Sequence, residues 1–239
     1  MNHAEAKVEC GIQVDADSML QQSIVISAMH HQRADEQLPE IRGFVRSPFN
    51  PLVYHSVQQA VLAAGMQHGS WPDSSRIGIV LGSMFIDAVT EEESWRDLLQ
   101  GKKLSPIMFP QSVPSAIIGL LARDLSIHGP MSCISASQDS WSIMLDMAQA
   151  WIADDYADIV VLTVCEVPSL RSEAWEEEQG ISHDWSGGVW TLIVEKPDQA
   201  VQRGLLDRAV TFQQFRDRYV DTSSPCCGML GSILGRNTR

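Results

Sequence analysis

The sequence predicts an α/β fold: a mostly parallel sheet of five strands with helices on both faces. Three apolar runs carry that expectation. Arg76–Ser83, Ala157–Val164 and Gly188–Glu195 are each bounded by turn residues and are apolar on both sides of the pleat, as strands buried on two faces must be. Helical periodicity fills the stretches between them.

In chain order, Ser23–Ser27 is the first strand expected. Val53, Val57, Ala60, Val61 and Ala64 recur at helical spacing, and Gly65 stands where a C-terminal cap belongs. The strand Arg76–Ser83 follows, then a short charged helix over Glu91–Gln100. Ser112 is placed to cap a helix whose first turn tolerates Pro114. The apolar face of that helix is Val113, Ala116, Ile117, Leu120 and Leu121. A Gly-Pro then leads into a short strand around Met131–Ser135, and a helix from Gln138 buries Trp141, Met144, Leu145, Ala148 and Ile152. After the strands at 157–164 and 188–195 comes a short helix. Beyond Leu205 the pattern weakens, with Arg216–Tyr219 helical and Ser223–Arg239 irregular. The expected organisation is one domain: a lead-in with the first strand (1–44), a body (45–205) and a partly irregular extension (206–239).

Composition narrows the function classes. The 239 residues suffice for a substantial core, and 44% hydrophobic with 20% charged is a globular balance. A net charge of -13 argues against nucleic acid and anionic membrane surfaces as partners. The five cysteines (Cys10, Cys133, Cys165, Cys226, Cys227) have neither metal-type nor redox-type spacing, which suits a reducing compartment. The start of the chain has no leader-like apolar core, and no apolar run approaches the ~20 residues of a membrane span. A soluble, cytoplasmic protein without metal or cofactor is expected. Gly187-Gly188 lacks the spacing and the following Lys of a phosphate loop. The runs Glu91–Glu93 and Glu176–Glu178 read as solvated helix faces.

The segment Ile127–Trp141 points to chemistry, or to its loss. Its Gly129-Pro130, short strand and helix start resemble the nucleophile segment of the β-ketoacyl synthases, where the strand ends in Thr-Ala-Cys and the cysteine opens a buried helix. Counted from Gly129, the cysteine's place is held by Gln138, whose amide has no ionisable nucleophile. Further landmarks follow in the family's order. Arg76–Ser83 is similar to its Arg-Val-Gly-Val-Val-Val-Gly-Ser strand, and Phe109–Pro114 to its Phe-Pro-x-x-Val-Pro. Tyr156–Glu166 is similar to the Ala-Asp-Val strand that ends in Glu. Ser186–Glu195 with Ala200, Arg203 and Gly204 is similar to the last strand and its Ala-x-x-Arg-Gly helix.

The resemblance covers residues from about 45 to 205 and implies the N-terminal half of a thiolase-like fold. The second half of a full ketosynthase, with two catalytic histidines and a gating loop, has no counterpart. The last histidine, His183, precedes the fifth strand and cannot stand in for either. Gln at the nucleophile position is the mark of chain-length factors and of malonyl-carrier decarboxylase domains; its carbonyl can occupy the oxyanion hole while remaining inert. The alternative is a plain polar residue at a helix start. Cys133 reads as a packed, unactivated strand residue, His128 as a loop or interface residue, and Ser135, Ser137 and Ser140 lack triad partners.

The resemblance therefore implies a non-catalytic, chain-length-factor-like subunit of a heterodimer with a full-length β-ketoacyl-ACP synthase. Acyl carrier protein would be met indirectly, through a basic patch on that partner. Interface residues are expected at His128, Pro130, Met131, Ser132, Cys133, Ile134 and Ser135, pairing antiparallel with the partner's sheet. The helix carrying Val113, Ser115, Ala116, Ile117, Ile118, Gly119 and Leu121 is expected to face the partner's acyl tunnel, with Ile117, Ile118 and Leu121 limiting its length. Subunits of this type are associated with aryl polyene-like pathways. Two alternatives stand beside this reading: a Gln-type decarboxylase borrowing partner histidines, or a purely structural stabiliser. Ten Met and seven Trp suit a surface that an oligomeric partner covers.

Overall fold

The computed structural model describes residues 19–20, 22–44, 46–66, 71, 73–103, 106, 108–135, 140–180 and 187–219. Five strands form one sheet: β1 (Val25–Arg33), β2 (Ile77–Gly82), β3 (Met131–Ile134), β4 (Ile159–Glu166) and β5 (Gly188–Glu195), in the order β1-β5-β4-β2-β3. The helices are α1 (Phe49–Ala63), α2 (Ala88–Leu99), α3 (Met108–Ser112), α4 (Pro114–Leu125), α5 (Ser140–Ala153), α6 (Leu170–Gln179), α7 (Pro197–Gln202) and α8 (Phe212–Tyr219).

The five-stranded α/β plan is as expected, but the sheet is mixed. β3, β2 and β4 are parallel, while β5 runs antiparallel to both β4 and β1. Strand–helix alternation misleads at α6. The stretch from Val167 to Gly187 returns the chain beside β4 in the opposite sense, a long hairpin rather than a crossover. β1 also runs further than Ser23–Ser27. Its second half, Met29–Arg33, is only half-buried at the sheet's edge and so lacks a fully apolar pattern.

Period-two alternation divides the core in two. Ile77, Ile79, Leu81, Ile159, Val161, Val189 and Ile193 pack under α1 and α4. Val80, Val160, Leu162, Trp190, Leu192 and Val194 pack under α5 and α8. The five α5 residues predicted to be buried all are. α8 adds Phe215, wedged edge-on against Trp141 and Trp190 with centroids 5.5 and 5.7 Å away. Val210 pairs with Ile26 through two main-chain bonds of 2.9 Å. Residues 206–219 are thus part of the packed body.

Local chemistry sets the helix ends. α1 stops at Ala64 with Gly65 left-handed at φ +70°, and Met66 N–H closes back on Val61 O at 3.1 Å. Ser112 does not cap α4; it ends α3, and Val113 takes the cap position without a side-chain bond, while Pro114 opens the helix as expected. α6 begins with a Ser169–Ser172 capping box, and Glu92 of α2 accepts from Leu170 and Arg171 N–H at 3.2 and 2.9 Å. Glu177 and Glu178 are exposed, but Glu176 is buried, so only part of that acidic run is a solvated face. Arg76, just before β2, grips Asp158, just before β4, with two bonds of 2.6 and 2.7 Å.

Candidate functional site

Among the described residues β3 is the outermost strand on one side of the sheet and pairs only with β2. Its fit there depends on Gly129, where an added Cβ would lie 2.3 Å from Ile77 O. Ile79 N–H donates to Pro130 O at 3.0 Å and Ser83 N–H to Ile134 O at 3.1 Å. In a parallel ladder that parity turns the main-chain groups of Ser132 toward β2 and those of Met131 and Cys133 outward. The residues expected at an interface lie along this edge: His128, Met131, Cys133 and Ser135 are exposed, and Pro130, Ser132 and Ile134 half-buried. Cys133 is not packed as the sequence suggested: on this outermost strand its side chain is exposed. Partial burial raises its thiol pKa, so it is no ready nucleophile.

On α4 the candidate residues divide by face. Ile117, Ile118 and Leu121 are buried in this chain's own core, together with Val53 and Val57 of α1. Ser115 and Gly119 are exposed, and Val113 and Ala116 half-buried. A Cβ added at Gly119 would meet nothing within 4 Å. The outward stripe of α4 is therefore small at Ser115 and Gly119, with Arg123 exposed one turn further on. Gln138 and Ser137 lie outside the described residues, as does His183; Ser140 is half-buried at the start of α5.

Two polar groupings escaped the sequence reading. His30 Nδ1 lies 3.3 Å from Ser56 Oγ, which is 2.8 Å from Thr191 Oγ1, itself 3.1 Å from Thr163 Oγ1. The base–hydroxyl pair looks catalytic, but Ser56 is completely buried, so no substrate reaches it, and burial lowers the His30 pKa. It ties α1 to the sheet.

The second grouping sits at the carboxyl ends of β2 and β4. Buried Glu166 accepts from the N–H groups of Met84 and Phe85 and from Ser83 Oγ. Burial outweighs these bonds and pushes its pKa up to about 7. Along the same turn, Asp87 accepts from Thr90 N–H at 3.3 Å and from Asn50 Nδ2 at 3.3 Å, and Asn50 Nδ2 also donates to Gln111 O at 2.9 Å. The available signal was a carboxylate closing an apolar run at Val164-Cys165-Glu166. Among the described residues no group of three or more His, Cys, Asp or Glu could hold a metal ion, and no helix is long and apolar enough to cross a membrane.

A mixed sheet between α1/α4 and α5/α8, with β3 at its edge, is the N-terminal half of a thiolase-like fold. The profile of the β-ketoacyl synthase N-terminal domain matches residues 78–214, and the chain belongs to that family. Solved structures of similar fold include "The ishigamide ketosynthase/chain length factor" (14% identity, TM-score 0.58, over 72% of this chain and 62% of that one). Another is a ketosynthase in complex with its chain length factor from Xenorhabdus doucetiae (20%, 0.51, 67% and 62%). A third is a β-ketoacyl synthase from Burkholderia phymatum (15%, 0.61, 76% and 61%). The chain spans about three-fifths of the length of each. No curated protein matches it.

Proposed function

We propose that this chain is a non-catalytic, chain-length-factor-like subunit that pairs with an active β-ketoacyl-ACP synthase and helps shape its acyl tunnel. The observation that carries the reading is Gln138 at the nucleophile's place, just past an edge strand whose outward main-chain groups suit pairing with a second sheet. That strand would add the partner's equivalent antiparallel, with Met131 and Cys133 supplying donors and acceptors. The outward residues of α4, Ser115, Ala116 and Gly119, would form the tunnel wall, with Ile117, Ile118 and Leu121 behind them fixing its position. Acyl carrier protein would dock on the partner, and the product would be a polyunsaturated chain of aryl polyene type. Relatives of this fold include ketosynthases solved with a chain length factor, which favours the pairing.

The test is co-expression with a ketosynthase encoded beside it, followed by the mass of the intact complex and a condensation assay. A one-to-one complex is expected, losing condensation when the partner's cysteine is replaced and keeping it when Gln138→Ala is made here. Malonyl-carrier decarboxylation that disappears with Gln138→Ala would favour the decarboxylase reading instead.

A further inference from the structure

The turn from Ser83 to Asp87 carries a charge problem that the pairing role does not use. Asp87 is 3% exposed, and among the described residues no Lys, Arg or His forms an ion pair with it. Its neighbours worsen the imbalance. Glu166, at the end of β4, is bonded to the same turn, Glu93 of α2 repels Asp87, and both Asp87 and Glu166 bear electrostatically on buried Cys165. A buried carboxylate without a counter-charge is costly.

The polar atoms around Asp87 are short of partners in a matching way. Asn50 is 1% exposed, Gln111 2% and Thr90 fully buried. Yet among the described residues Asn50 Oδ1 and both side-chain amide atoms of Gln111 have no hydrogen-bond partner, while the Ser47 and Thr90 hydroxyls face the Asp87 carboxylate. The orientation of Asn50 is fixed by its Nδ2, which donates to Asp87 Oδ2, Ser47 Oγ and Gln111 O. The orphan Oδ1 is thus on an amide already held against the Asp87 carboxylate. Two buried amide oxygens without a partner and two hydroxyl oxygens thus lie on residues linked to one carboxylate, which caps α2 but has no counter-charge among the described residues.

We infer that this cluster is a binding site for a monovalent cation, potassium or sodium, coordinated by Asp87, Asn50 Oδ1, Thr90 Oγ1 and Gln111 Oε1. Hard oxygens, mostly neutral, with one carboxylate suit a singly charged ion. A water in its shell would accept from Gln111 Nε2. The site joins the first turn of α1 (Asn50), the start of α2 (Asp87, Thr90) and the end of α3 (Gln111), and so stiffens the base from which α4 departs. The inference does not depend on the chain's pairing with a ketosynthase.

Thermal unfolding of the purified full chain tests it, in potassium, sodium or choline chloride at equal ionic strength. A saturable rise in midpoint with potassium or sodium is expected, about 3 °C at tenfold the dissociation constant, and none with choline. Asp87→Asn should abolish the rise and Thr90→Val should weaken it. Crystals soaked in thallium(I) should show an anomalous peak among the four residues, a readout that survives if either variant fails to fold. Equal midpoints in all three salts, a rise unchanged in Asp87→Asn, or no thallium at the cluster would overturn the site and leave it filled by water and protons.

Discussion

Met131 stands opposite Ile79 in the parallel register of β3 on β2, and both its main-chain groups turn away from that neighbour. Cys133, two residues on, repeats the arrangement opposite Leu81. This parity yields a substitution that separates folding from pairing. Cys133→Pro removes only an outward N–H, which an edge strand tolerates, whereas Ser132→Pro removes a donor facing β2. We expect Cys133→Pro to keep the chain folded by circular dichroism yet to abolish co-purification with the ketosynthase, and Ser132→Pro to lose both.

Glu166 makes stability depend on pH. Its folded pKa of about 7 lies above the ordinary 4.5, so the folded state binds the proton more tightly than the unfolded one. Stability should be highest near and below pH 4.5 as far as this residue is concerned. It should fall by about 3 kcal/mol as pH rises to 7, then level off. Urea unfolding across this range at fixed salt checks it, and Glu166→Gln should flatten the slope.

Glu195 is fully buried and paired with Arg203, whose Nη1 also donates to Ala64 O at 2.9 Å at the end of α1. Removing the guanidinium would strand a buried carboxylate. Arg203→Ala should cost about 3–5 kcal/mol in chemical unfolding. The double change Arg203→Met with Glu195→Gln should cost less than Arg203→Ala alone.

Two positions on α4 should behave in opposite ways. Ile117→Ala opens the core and should lose about 2–5 kcal/mol. Gly119→Ala has free space for its methyl group and should gain about 1 kcal/mol, because glycine is a poor helix former. Thermal unfolding of the two variants is the check.

Much of the body was legible because its strands are buried on both faces. Ile77–Gly82, Ile159–Glu166 and Gly188–Glu195 advertise themselves as apolar runs, broken only by Thr163 and Thr191 and closed in the last two by Glu166 and Glu195. The buried set on α5 was equally plain from Trp141 to Ile152. Strand direction was not, since nothing in Val167–Gly187 distinguishes a crossover from a return. The second half of β1, with His30, His31, Gln32 and Arg33, hid behind polar residues that an edge strand tolerates. On the candidate site, the edge position of β3 followed from the resemblance, and the exposure of Cys133 followed only from geometry. The cluster of Asn50, Asp87 and Gln111 could not be foreseen, because its members come from three elements separated by 37 and 61 residues.

The most direct test is the length of the acyl product made by the reconstituted pair, read by mass spectrometry, with Gly119→Leu compared against the native subunit. A leucine projecting from the outer side of α4 should shorten the chain while the complex stays intact. An unchanged product from an intact complex, or condensation by this subunit without its partner, would contradict the assignment.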